Sequence, residues 1–268
     1  MKKILILVVS LNLALSSTVF AKTSNLNIVN NVNNIEGTTS DKQILHDEFN
    51  QIIDSITPND FVLVYEQTVS NQYFKSLTRE EKDDYTIAKL VENHKKNYKQ
   101  ENKNPISIRR LSKYLPDSYN RLNKEEKKLV KIHPSEALSV YSAAKSATEE
   151  TIRRFGRNGE DDVSDAFRHA FWNADMTCLF YYDQIIGNGS RPSAKLASNI
   201  TEKWATAHEY GSSGLPRTMD LYNNKLGRAI AVPNLPTNSS VLSDKVYSSI
   251  KSGNGKMIVN NKLVPTKL

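Results

Sequence analysis

The sequence predicts a mostly α-helical fold, a multi-helix domain closed by a small C-terminal β-hairpin. Apolar residues recur at helical spacing from Leu45 onward, capping residues punctuate those runs, and one stretch of strand character, Met257 to Val264, stands apart near the end. With 268 residues and 38% hydrophobic content the chain can bury a sizeable core.

Residues 1–21 read as a secretory signal peptide. Lys2 and Lys3 precede an apolar run from Ile4 to Leu15, and Val19-Phe20-Ala21 supplies the small-residue pattern for cleavage before Lys22. That run is too short for a stable membrane span and no later stretch is longer, so no transmembrane segment is expected in the mature chain. The expected location is therefore secreted, extracellular or periplasmic. Cleavage takes two lysines from a formal charge of +7 and leaves +5. A mildly basic balance favours anionic partners such as phospholipid headgroups, wall polymers or nucleic acid, although an excess of this size also serves solubility alone. Cys178 has no partner within the chain, so packing must hold the fold, and its place on an apolar helix face reads as a small buried hydrophobe.

Residues 22–40, rich in Asn, Ser and Thr, read as a disordered leader. Residues 41–104 form an N-terminal helical region. Leu45, Phe49, Ile52 and Ile56 share a helix face, with Ser40 or Asp41 to cap it and Thr57-Pro58-Asn59-Asp60 to end it. Phe61 to Leu77 mixes β-branched and aromatic residues and is taken as helix. Thr78-Arg79-Glu80-Glu81 resembles a capping box and opens a helix toward His94. The polar, basic run Lys95 to Asn104 marks a boundary, as a solvated helix end or linker.

Residues 105–268 form a C-terminal helical domain. After a small apolar patch at Leu111, Tyr114 and Leu115, a short helix runs from Leu122-Asn123-Lys124-Glu125-Glu126 to His133-Pro134. Ser135 is positioned to cap the next helix, which carries Leu138, Tyr141 and Ala144 on one side and runs toward Phe155-Gly156. Arg157-Asn158-Gly159 is a turn, and Asp161, Asp162 and Ser164 give an acidic cap suited to a positive helix N-terminus.

The helix they introduce organises the chain. Ala166, Phe167, Ala170, Phe171, Ala174 and Cys178 gather on one arc, while Asp165, Arg168, His169, Trp172, Asn173 and Asp175 gather on the other. A solvated face would carry Lys, Glu and Gln; this second arc reads as a polar wall against other protein. After a loop around Gly187-Asn188-Gly189-Ser190, two further helices follow, from about Pro192 to Tyr210 and from Met219 to about Ile230. His208 shares an apolar stripe with Ala197, Thr201, Trp204 and Ala205, beside Glu209. On the last helix Asp220, Asn223, Asn224, Gly227 and Arg228 share a face. Glycine inside a helix costs about 1 kcal/mol relative to alanine, so Gly227 implies close approach of another backbone or of a ligand. Met257 to Val264 reads as two strands around an Asn-Asn turn.

If the three polar faces converge, Asp165, His169, His208, Glu209 and Asp220 become candidate catalytic groups. Arg168, Trp172, Asn173, Asn223, Asn224 and Arg228 become candidate substrate-binding groups. Asp165 and His169 lie one turn apart, so both could ligate a metal, or the carboxylate could orient the imidazole as a base. Guanidinium groups suit a phosphate or carboxylate. A divalent cation on Asp165, His169, His208 and Asp220 is geometrically conceivable, although no strong zinc spacing, nucleophile elbow or phosphate loop occurs. The same residue types facing inward equally build a satisfied network that fixes helix register. His46, His94 and His133 read as surface or capping residues.

Several segments carry a family likeness: Glu125-Glu126-Lys127, His133-Pro134, Phe155-Gly156, the run from Asp165 to Ala174, Ala207-His208-Glu209 and the run from Met219 to Arg228. From roughly residue 120 to 268 the chain resembles a bacterial domain of unknown function associated with secreted, wall-associated and polymorphic-toxin-like proteins; residues 22–119 fall outside the likeness. The resemblance implies toxin or effector activity without fixing a reaction. The expected function is a secreted, effector-like hydrolase acting on an anionic envelope component or a phosphodiester. The alternative is a non-catalytic envelope-binding protein whose polar cluster is structural.

Overall fold

The computed structural model describes residues 39–101, 121–188 and 192–267. The expected signal peptide, the expected leader up to residue 38, the expected boundary run beyond Glu101 and the Leu111, Tyr114 and Leu115 patch lie outside the described residues. Among them run ten α-helices: α1 (Thr39–Ile52), α2 (Pro58–Thr68), α3 (Gln72–Ser76), α4 (Arg79–Glu101), α5 (Lys124–Ile132), α6 (Pro134–Phe155), α7 (Val163–Asn188), α8 (Ala194–His208), α9 (Gly214–Ala231) and α10 (Ser239–Lys251). A two-stranded antiparallel hairpin, β1 (Lys256–Val259) and β2 (Lys262–Pro265), completes the mostly α fold. No helix among the described residues is long and apolar enough to cross a membrane.

Local chemistry explains the boundaries. Thr57 and Pro58 open α2 instead of ending α1: the Asp60 carboxylate accepts from the Thr57 N–H at 2.7 Å and from its hydroxyl at 2.8 Å, and Pro58 tolerates a position where no N–H is needed. Asn71 splits the expected Phe61 to Leu77 helix by accepting from Tyr73 N and Phe74 N. The Thr78 box is as expected, with Glu81 reaching back to the Thr78 N–H at 2.7 Å. Ser135 does not cap α6; His133 occupies that position, and Ser135 donates through its N–H and hydroxyl to Asp83, tying α6 to α4. Gly156 ends α6 at φ +67°, a left-handed stop that suits glycine. Helix α9 begins at Gly214, a turn earlier than expected, and the Gly187-Asn188 half of the expected loop belongs to α7. Helix α10 has no counterpart in the sequence reading, although Leu242, Val246 and Ile250 recur at helical spacing and are fully buried.

Helix α7 is the axis. Helices α6, α8, α9 and α10 all pack on it, α2 and α4 pack on α6, and α1 packs on α4. Both of its arcs are buried: Ala166, Phe167, Ala170 and Ala174 on one, and Asp165, His169, Trp172 and Asn173 on the other. One apolar cluster runs from Leu45 to Ile250, so the N-terminal helices extend the same core. Asn260 and Asn261 both take positive φ, 50° and 56°, the conformation of a two-residue hairpin turn. The hairpin lies on α9 and α7.

Candidate functional site

The start of α7 is fixed by its cap. Asp162 accepts from Ser164 N at 2.7 Å, from the Ser164 hydroxyl at 2.6 Å and from Asp165 N at 3.1 Å. Asp165 itself accepts from Asp161 N at 2.7 Å, and Asp161 O accepts from Ile258 N of β1 at 2.8 Å. The hairpin thus anchors the loop that aims Asp165.

Gly227 sets how closely α9 approaches. A Cβ at that position would fall 1.9 Å from the carbonyl oxygen of Ala170, so only glycine permits this contact between α9 and α7. The sequence left backbone and ligand open as the reason, and the neighbour is backbone. One turn and two turns away, Asn224 and Asp220 are carried against the polar arc of α7. Asn223 does not join them. It donates to Lys256 O at 2.9 Å and accepts from Lys256 N at 3.0 Å, tying β1 to α9. Glu209 arrives from the C-terminal end of α8, where it accepts from the Ser212 hydroxyl at 3.1 Å.

These elements converge on His169, which is only 8% exposed in its side chain. Its Nε2 lies 3.3 Å from Asp165 Oδ1 and 3.4 Å from Asp220 Oδ1. Its Nδ1 lies 3.3 Å from Asn224 Oδ1 and 3.7 Å from Glu209 Oε1. One edge of the ring is therefore held by Asn224 and Glu209 while the other is presented to two carboxylates. Asp220, at 15% side-chain exposure, is the member nearest solvent. Its buried Oδ1 has no hydrogen-bond partner.

The charges act on one another strongly. Burial pushes His169 toward neutrality, but Asp220, Asp165 and Glu209 outweigh it and hold its pKa up at about 9. Burial raises Asp220 to about 7, with His169 opposing and the Glu209 and Asp165 charges adding to the rise. Burial also works against ionised Asp165, yet His169, Arg168 and the Asp161 N–H together bring its pKa below the usual range.

The remaining predicted residues sit around this centre with other duties. Arg168 pairs with Asp165 Oδ1 at 2.5 Å and donates to Asn158 and to Gly159 O. Asn173 donates to Asn224 Oδ1 at 2.7 Å and accepts from Arg228 at 2.9 Å, while Arg228 also pairs with Glu202 at 3.0 Å. Trp172 donates its indole N–H to Val140 O at 3.0 Å. His208 is not brought to the centre: Trp172 packs edge-on against both imidazoles, with ring centroids 6.5 Å from His169 and 5.0 Å from His208, and His208 Nδ1 meets Glu126 at 2.9 Å. His46 faces Asp84, His94 faces Ser55 and His133 faces Arg79, all away from this cluster.

Sequence reasoning missed Glu126 and Glu202 as partners, because each meets its partner side chain across helices. The donor atoms of Asp165, His169 and Asp220 all lie within 4.8 Å of one another, an arrangement able to hold a metal ion; among the described residues His208 does not belong to it.

Residues 127–254 match a family described as "Domain of unknown function (DUF6973)". The match runs from within α5 to just beyond α10 and so contains Asp165, His169, Glu209 and Asp220. No curated protein and no solved structure matches the chain.

Proposed function

We propose that the His169 centre is the reactive site of an exported, effector-like hydrolase acting on an anionic ester, a phosphodiester or an envelope component of that chemistry. One observation carries this reading: three carboxylates from three separate elements surround a single buried imidazole whose two nitrogens have different tasks. Asn224 and Glu209 orient the ring through Nδ1. That leaves Nε2, between Asp165 and Asp220 and on the side of the more exposed carboxylate, as the reactive atom. A ring held at one nitrogen and, once the proton there is displaced, offered at the other is the arrangement used by histidines that activate water or bind its activator. Arg168 serves the site by fixing Asp165, and Arg228 by bracing Asn173, so substrate anions meet the basic balance of the surface and not these two committed side chains.

The test is hydrolysis by the mature protein of a nitrophenyl phosphodiester, a nitrophenyl carboxylic ester and anionic phospholipid vesicles. His169→Asn should lose turnover on whichever substrate is cleaved while keeping its helical circular-dichroism signal. Absence of turnover on all three by the folded protein would sink the reading.

The non-catalytic alternative draws on a different observation. Arg228, Asn173 and Asn224 form a continuous chain of hydrogen bonds, as a register-setting network would. Binding to anionic vesicles or wall material that survives His169→Asn, without turnover, would favour it.

A further inference from the structure

The geometry points to a first-row divalent cation, held by Asp165 Oδ1, His169 Nε2 and Asp220 Oδ1, as the activator of water in this centre. The inference deepens the hydrolase reading of the same site, but the cation site stands or falls on its own measurement.

Two ligands about 2.1 Å from a shared ion, at the angles of tetrahedral or octahedral coordination, lie about 3.0–3.4 Å apart. Nε2 of His169 is 3.3 Å from Asp165 Oδ1 and 3.4 Å from Asp220 Oδ1, two edges of such a polyhedron. A donor oxygen of each carboxylate lies within 4.8 Å of the other, near enough for both to turn toward the same ion. Asp220 Oδ1 is buried without a hydrogen-bond partner, an oxygen whose lone pairs are left for something else. Nδ1 of His169 faces Asn224 and Glu209, the outer partners that fix the ring of a ligating histidine. Arg168 bonds Asp165 Oδ1, and the Asp161 N–H holds Oδ2, so Asp165 is kept from rotating away.

The donor set selects the ion class. One imidazole nitrogen and two carboxylate oxygens, without a thiolate, suit zinc, manganese or ferrous iron. Calcium seeks six to eight oxygens, and magnesium prefers water and phosphate to imidazole. Three protein ligands leave at least one position for water, as in catalytic and not structural sites. A water bound there would lose its proton to bulk solvent more readily and, as hydroxide, attack the phosphorus or carbonyl carbon of the ester; the bond from that atom to the alkoxide oxygen breaks as the new one forms, and the alkoxide takes a proton from solvent.

The mature protein, stripped with chelator and dialysed, should bind one zinc or manganese ion per chain by calorimetry, and its melting temperature should rise on binding. Asp220→Asn and Asp165→Asn should each weaken binding at least tenfold, while His208→Gln should not. Circular dichroism confirms that each variant is folded. No saturable binding by folded wild type, binding of calcium alone, or binding lost in His208→Gln and kept in Asp220→Asn would each overturn the assignment. Hydrolysis that persists in metal-free protein would overturn the cation and leave the hydrolase; a bound ion without hydrolysis would do the reverse.

Discussion

Two imidazoles stand on either side of Trp172, and the difference between them separates a candidate site from scaffold. His208 meets the carboxylate of Glu126, which also closes the α5 cap by accepting from Asn123 N at 2.8 Å. That charge is spoken for, and the Asn123 side chain further ties α5 to the end of α8 through Ala207 O and His208 O. His169 has three carboxylates around it, one with a buried oxygen that makes no hydrogen bond. A single matched pair is a brace between helices. An excess of carboxylates around one ring is costly to bury and calls for a ligand or a proton to balance it.

The sharpest way to break this comparison is to remove each ring in turn. His169→Ala is expected to lower hydrolysis by about 10²–10⁴-fold, the range for a positioned acid–base or activating group. His208→Ala should leave the rate within about tenfold of wild type, measured on the same substrate with both variants shown to be folded. Equal losses would mean that the two histidines are not functionally distinct.

Much of this contrast was hidden in the sequence. The two-arc pattern of α7 and the hairpin turn were legible because helical and strand periodicities are local. So was the need for close approach at Gly227. The pairing of His169 with Asp165 was legible from their one-turn spacing; that His208 would stand apart from them was not. Both histidines sit on helices one turn from a Trp, and what divides them is a partner from another element: Asp220 from α9 against Glu126 from α5. Ser135 and Thr57 were misplaced for a related reason. Their side chains satisfy either their own helix or another one, and only the fold decides which. Helix α10 was readable from Leu242, Val246 and Ile250, but its serine-rich polar face resembles a loop.

The next test acts on the approach of α9. Gly227→Ala gains about 1 kcal/mol of helix propensity, yet its methyl group would collide with the Ala170 carbonyl. Overpacking of this kind costs about 1–3 kcal/mol, and against unyielding backbone the upper end is expected. Urea unfolding should show the loss. Because α9 carries Asp220 and Asn224, the His169 side should also lose activity or cation binding, while the His208–Glu126 pair is untouched.

A second buried carboxylate on α7 sharpens the comparison, because it is perturbed without belonging to either imidazole. Burial raises Asp175 to about 6, with Ser239 and Ser146 opposing, and its Oδ1 has no hydrogen-bond partner. A carboxyl whose folded pKa lies above its unfolded value, about 3.9, favours the folded state in its protonated form. Its contribution is therefore fully present below about pH 4 and is lost as pH rises through about 6. Asp175→Asn should remove that slope and stabilise the protein at pH 7 by about 3 kcal/mol, read as the wild-type-minus-variant difference across a pH series of urea melts. An unchanged slope would show that the carboxyl titrates in a polar setting.

The smallest effect is expected at Glu126. In Glu126→Gln the amide oxygen can still accept from Asn123 N, and the amide can still meet His208, now as a neutral hydrogen bond. What is lost is charge assistance, which separates a neutral contact from an ionic one by about 1 kcal/mol or less when the neighbouring imidazole is partly open to solvent. His208 retains 17% side-chain exposure. The melting temperature should therefore fall by only a few degrees, and turnover and cation binding should match wild type. A large loss of turnover in this variant would connect His208 to the chemistry through Trp172, and the distinction between the two sides of that indole would collapse.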